Sequence, residues 1–192
     1  MKVPKTQYVV MRTRALCVPT ILGSLRFIVL SLTCVANATA MTIELDTMKG
    51  EPAILARGEI VPGDAKRLKA VLTSKAMHSS GYYALVLDSP GGSISEAFEL
   101  SRIMDAHRVY TYVPPGGKCV GACASIVFIA GREHVAVKGS RLGFQGCPSA
   151  RTKEIDVLCN EKIAEHAVAH GTSYGAVMAV IDGVQQDQIL WV

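Results

Sequence analysis

Six uncharged residues in succession, Tyr82-Tyr83-Ala84-Leu85-Val86-Leu87, run directly into Asp88-Ser89-Pro90-Gly91-Gly92-Ser93. An unbroken apolar strand is the pattern of a strand buried on both faces, which is found inside parallel sheets flanked by helices. Parallel strands need long crossover connections, so the chain around this segment must alternate strands with helices. The paired glycines that follow give backbone able to reach positive φ and to approach another chain without an intervening Cβ.

The rest of the sequence supplies that alternation. Met41 to Leu45 and Ala53 to Ile60 alternate apolar and polar residues and predict strands. Asp64 is placed to cap a helix carrying Leu68, Val71 and Leu72 on one face. Ser93 or Ser95 caps a second helix through about His107, with Ala97, Phe98, Leu100, Ile103 and Met104 as its apolar stripe. Val109 to Val113 predicts a strand, closed by Pro114-Pro115-Gly116-Gly117. Small residues followed by bulky ones from Cys119 to Gly131 predict a buried central helix with Gly131 as C-cap. His134 to Val137 and Arg141 to Gln145 predict short strands. Two helices are predicted last, Glu154 to His170, stopped by Gly171, and Tyr174 to Ile181.

With 192 residues, 49% apolar and 19% charged, the chain suits one domain with a full core and excludes intrinsic disorder. Its net charge of +4 is misleading, because Lys2, Lys5, Arg12, Arg14 and Arg26 fall in a stretch of 40 residues without Asp or Glu. The remainder carries 15 basic against 16 acidic residues, which excludes a basic patch for nucleic acid. The same stretch continues with the apolar run Phe27 to Val35 and the small-x-small site Ala38-Thr39-Ala40. It reads as a secretory signal peptide over 1–40, with Met11 as an alternative start to Met1, followed by a domain over 41–192. The apolar run after Arg26 is shorter than the roughly 20 residues a spanning helix needs, so no membrane span is expected after cleavage. Ser31-Leu32-Thr33 lacks the small residue that a lipoprotein signal places before its cysteine, here Cys34. A periplasmic or secreted location follows.

Export removes Cys17 and Cys34 and leaves Cys119, Cys123, Cys147 and Cys159. An even number in an oxidising compartment favours disulfides over a metal site. Cys147 and Cys159 flank a polar loop and are expected to pair. Cys119 and Cys123 on one regular helix would come only marginally within bridging range. His166 and His170 stand at i, i+4, but neither the Glu of a zinc-protease motif nor a third ligand accompanies them, so a solvated or half-buried helix face is expected and no metal. No cofactor is implied.

Order along the chain adds a resemblance. Gly58-Glu-Ile-Val-Pro-Gly-Asp64, Leu87-Asp-Ser-Pro-Gly-Gly-Ser93, the small-residue segment ending Ile129-Ala-Gly131, and Ser140-Arg-Leu-Gly-Phe144 together resemble the Clp-protease and crotonase superfamily. The chain looks closest to exported Clp-protease-like proteins of Gram-negative bacteria, with a looser similarity to signal peptide peptidase A. The resemblance spans Ile54 to Trp191. It implies an α/β fold of repeated β-β-α units wound into a superhelix, a serine-peptidase site, polypeptide substrates added as an extra strand, and a homo-oligomer.

The residues at the implied site depart from that pattern. The family's nucleophilic serine maps onto Gly121 in Cys119-Val-Gly-Ala-Cys123, and its catalytic histidine onto Gln145 in Gly143-Phe-Gln145. A glycine has no hydroxyl and an amide takes no proton at neutral pH, so attack and base both lack their group. Ser125 is the fallback nucleophile, although a core hydroxyl bonded to a backbone carbonyl is the plainer expectation. His134 is expected to be a surface residue. Asp182 or Asp187 matches the third member. What survives is the oxyanion loop of Gly91, Gly92 and the Ala122 N–H, and with it a groove for extended peptide. The sequence therefore reads as a catalytically impaired homologue. Two alternatives stand beside it: an active peptidase using Ser125, and a crotonase-type acyl-thioester enzyme, which export from the cytoplasm disfavours.

Overall fold

The computed structural model describes residues 39–148, 155–183 and 188–192, with backbone alone for 181–183. Residues 1–38, where a signal peptide is expected, residues 149–154 and residues 184–187, with Asp187, lie outside the described residues. β1 (Thr42–Met48) and β2 (Glu51–Arg57) form an antiparallel hairpin. Its turn places Lys49 at φ 54° and Gly50 at φ 84°, the left-handed pair that matches strand twist. Pairing, rather than side-chain alternation, sets the ends of these strands, which is why they differ from the expected 41–45 and 53–60.

β3 (Tyr83–Asp88) runs parallel to β2 and to β4 (Val109–Val113). Beyond β5 (Lys118–Val120), β6 (His134–Ala136) joins the far side of β4, giving a five-stranded sheet in the order β1-β2-β3-β4-β6. β3 is buried on both faces as its sequence predicts. Ile54, Ala56, Leu85 and Leu87 share one core with Leu68, Leu100 and Met104, while Ala53, Leu55, Ala84 and Val86 form a second cluster with Tyr82 and Tyr112. A second sheet, β5-β7-β8, contains β7 (Arg141–Phe144) and the two-residue β8 (Leu190–Trp191).

α1 (Asp64–Val71) and α2 (Ile94–Asp105) pack on the main core. Asp64 does not cap α1. Gly63 holds the cap position, and the fully buried Asp64 carboxylate accepts the Val61 N–H at 2.7 Å and pairs with Arg67. The N-terminus of α1 is also satisfied from α2, whose Glu96 accepts the Ala65 N–H at 2.8 Å. Ser93 caps α2, its Oγ accepting the Glu96 N–H.

The expected single helix over 119–131 is instead a strand, a turn and a helix. β5 ends at Val120, Gly121 turns the chain, and a buried helix of π pitch runs Cys123–Phe128. Gly131 is not a left-handed cap; it is glycine because a Cβ there would lie 2.3 Å from Thr111 Oγ1. α3 (Val157–Ala169) starts at its cap Asp156, and Gly171, at φ 87°, follows its end. α4 (Tyr174–Gly183) completes the described helices. Among the described residues no helix is long and apolar enough to cross a membrane.

Candidate functional site

The turn after β3 is clamped on two sides by backbone. Ser89 N–H donates to Lys118 O at 2.7 Å and Val120 N–H donates to Ser89 O at 3.1 Å, which lays the turn along β5. On the other side Ile60 N–H donates to Gly91 O at 2.7 Å and Ser93 N–H to Ile60 O at 2.8 Å. A Cβ at Gly92, φ 137°, would lie 2.3 Å from Ile60 O, so only glycine lets the two chains meet.

This clamp divides the expected oxyanion loop. Gly91 N–H is not free: it donates to the buried Ser89 Oγ at 3.1 Å. Gly92 N–H has no acceptor among the described residues, and Gly92 is exposed. The Ala122 N–H likewise has none among the described residues, and its nitrogen lies 3.5 Å from where a Cβ at Gly91 would stand. The two open donors are therefore Gly92 and Ala122, on adjacent segments.

Gly121 sits at φ 54° in the sharp turn between β5 and the helix, with its N–H donating to Gly143 O at 2.8 Å. Cys119 and Cys123 close a disulfide across this turn, their Cα atoms 5.2 Å apart. That pairing is marginal on one regular helix but direct when a strand hands over to a helix between the two residues. A Cβ at Gly121 would lie 3.3 Å from both Cδ and Nε2 of Gln145. The strand-end Gln145 and the turn Gly121 thus face each other, and any side chain at 121 would project onto residue 145.

Gln145 also lines a cavity of about 290 Å³ between the central helix, α3 and α4. Its walls are mostly apolar, including Phe128, Phe144, Ile163, Val177 and Val180. Ser125 opens on this cavity and is 5% exposed, and its hydroxyl has no partner among the described residues, contrary to the expected bond to a backbone carbonyl. His134 is exposed as expected, yet its ring packs edge-on to Phe128 and lines the same cavity. From α4 the cavity receives Ala176, Val177 and Val180, apolar residues to which the sequence assigns no role in the site. The Asp182 side chain is not described.

His166 and His170 lie on a half-buried face of α3, as expected. His166 Nε2 donates to the Ile126 carbonyl at 3.0 Å, and His170 Nε2 stands 2.9 Å from Asp105 Oδ1. Burial holds the His166 pKa below the ordinary imidazole value, against the raising effect of its bond to Ile126. Cys147 and Cys159 form the expected disulfide, with Cα atoms 5.9 Å apart, and Cys147 N–H donates to Asn160 Oδ1 at 2.9 Å. This ties the segment after Gln145 to α3.

Among solved structures the chain is similar to a mutant ClpP1 from Listeria monocytogenes, with a TM-score of 0.52 and 14% identity over 72% of this chain and 80% of that one. It is similar also to the ClpP protease catalytic domain from Plasmodium falciparum, with a TM-score of 0.51 and 14% identity over 69% of this chain and 72% of that one. No family model matches the chain, and no curated protein does. The chain is an α/β domain of the Clp-protease fold.

Proposed function

We propose that the chain is an exported Clp-protease-like domain that has lost serine-peptidase catalysis and binds extended polypeptide at the retained oxyanion loop. The observation that carries it is the approach of position 121 to residue 145. The nucleophile and base positions meet, within 3.3 Å of the Cβ direction, and hold glycine and glutamine. Neither group attacks a carbonyl or accepts a proton at neutral pH. The two open N–H groups and the apolar cavity are what a polypeptide would engage. Export is supported by the two disulfides, which persist in oxidising compartments. Self-association is supported by exposed apolar residues at the start of α3, Val157 at 64% and Leu158 at 71%. Incubation with a fluorophosphonate probe tests the catalytic part, since the unmodified protein should remain unlabelled.

One observation favours a second reading, an active peptidase. Ser125 opens on the cavity shared with His134. Against it, Ser125 lies one helical turn beyond Gly121, displaced from the Gly92 and Ala122 donors that must sit near 3 Å from a reacting oxygen. Labelling that vanishes in Ser125→Ala would establish this second reading.

A further inference from the structure

We propose that the site captures the C-terminal carboxylate of a polypeptide whose last side chain is apolar, an assignment of ligand class that rests on the peptide-binding role above. Three donors without an acceptor among the described residues flank Gly121: the N–H groups of Gly92 and Ala122, and the Gln145 amide nitrogen 3.3 Å from the Cβ direction. A scissile amide offers one carbonyl oxygen to such a loop. A carboxylate offers two oxygens and a full charge, and charge-assisted bonds are the stronger kind. Gln145 suits this ligand better than a carbonyl undergoing attack, since its amide donates at every working pH and takes no proton.

The cavity next to Gln145 supplies the second half of the site. At about 290 Å³ it lies at the lower end of the roughly 300–1,000 Å³ span of small-molecule pockets, a size for one side chain rather than a cofactor. Phe128, Ile129, Phe144 and Ile163 make its wall apolar. Ser125 adds a hydroxyl-bearing residue to the same wall. Gln145 belongs to both the donor group and the pocket wall, and a donor group joined to an apolar pocket is a means by which proteins read chain ends.

The test is an NMR titration of the 15N-labelled exported protein with N-acetyl-Ala-Ala-Leu as free acid, the same peptide as C-terminal amide, and N-acetyl-Ala-Ala-Asp as free acid. The expected result is that the leucine acid shifts the Gly92 and Ala122 amide resonances and binds at least about tenfold more tightly than either other peptide. Gln145→Glu should remove the preference for acid over amide, and Ala176→Phe, which fills the cavity from α4, should weaken the leucine peptides in both forms. Equal binding of acid and amide, or an acid preference surviving in Gln145→Glu, would overturn carboxylate capture while leaving the peptide-binding role in place. Absence of any shift with all three peptides at millimolar concentration would contradict both.

Discussion

His166 on α3 donates its Nε2–H to the carbonyl oxygen of Ile126, 3.0 Å away, so a side chain closes directly on the backbone of the central helix. The helix that follows the Gly121 turn is therefore held from outside by a titratable group, with the ring of Phe98 edge-on to His166 and with His170 and Asp105 beside it.

Burial of the His166 ring makes stability depend on pH, and the bond to Ile126 only partly offsets it. Burial lowers the folded-state pKa of His166, so in mildly acid solution the unfolded chain binds more protons than the folded one. The contribution is complete above the unfolded value of about 6.5 and is lost as pH falls through the depressed folded value. Urea midpoints should fall between pH 7 and pH 5, and His166→Gln should flatten that fall. Parallel pH curves for both proteins would contradict the assignment.

The two disulfides should open in a fixed order. Cys119 and Cys123 are both 0% exposed, whereas Cys159 is half-buried. Mild reductant followed by alkylation and mass spectrometry should find Cys147 and Cys159 modified first, with the other pair intact until unfolding. Replacing both Cys147 and Cys159 by serine should cost about 3 kcal/mol on the chain-entropy account.

Gly92→Ala should be among the most damaging small substitutions, because the new Cβ would lie 2.3 Å from Ile60 O and 2.7 Å from Ile60 N, backbone atoms that have nowhere to go. The expected loss is on the order of 3 kcal/mol or more. Gly116→Ala, at φ 76° with open space around it, should cost only the left-handed penalty of about 1 kcal/mol. Similar thermal midpoints for the two variants would show that the clamp around Gly92 yields.

What the sequence made legible was the part written in hydrophobic pattern and turn chemistry. The uncharged run ending at Leu87 can only be a doubly buried strand, and Ser89 to Ser93 follows it as turn and helix cap. The segment from Cys119 to Gly131 misled because small apolar residues satisfy strand and helix alike. Only the β5–β7 pairing, a contact between distant segments, decides that Lys118–Val120 is extended. The facing of Gly121 and Gln145 follows from the same pairing. Gly91 was expected to be a free donor, but a side chain two residues back, Ser89, takes its N–H. The two-residue β8 has no local signature and exists through its bonds to β7.

The central claim, that nucleophile and base are missing from an otherwise assembled site, is tested most directly by fluorophosphonate labelling of four proteins: unmodified, Gly121→Ser, Gln145→His, and the double variant. The account predicts no labelling of the unmodified chain, clear labelling of the double variant, and much less in either single variant, since the two groups act as one unit. Labelling of the unmodified protein that disappears in Ser125→Ala would contradict it and make this chain a working peptidase.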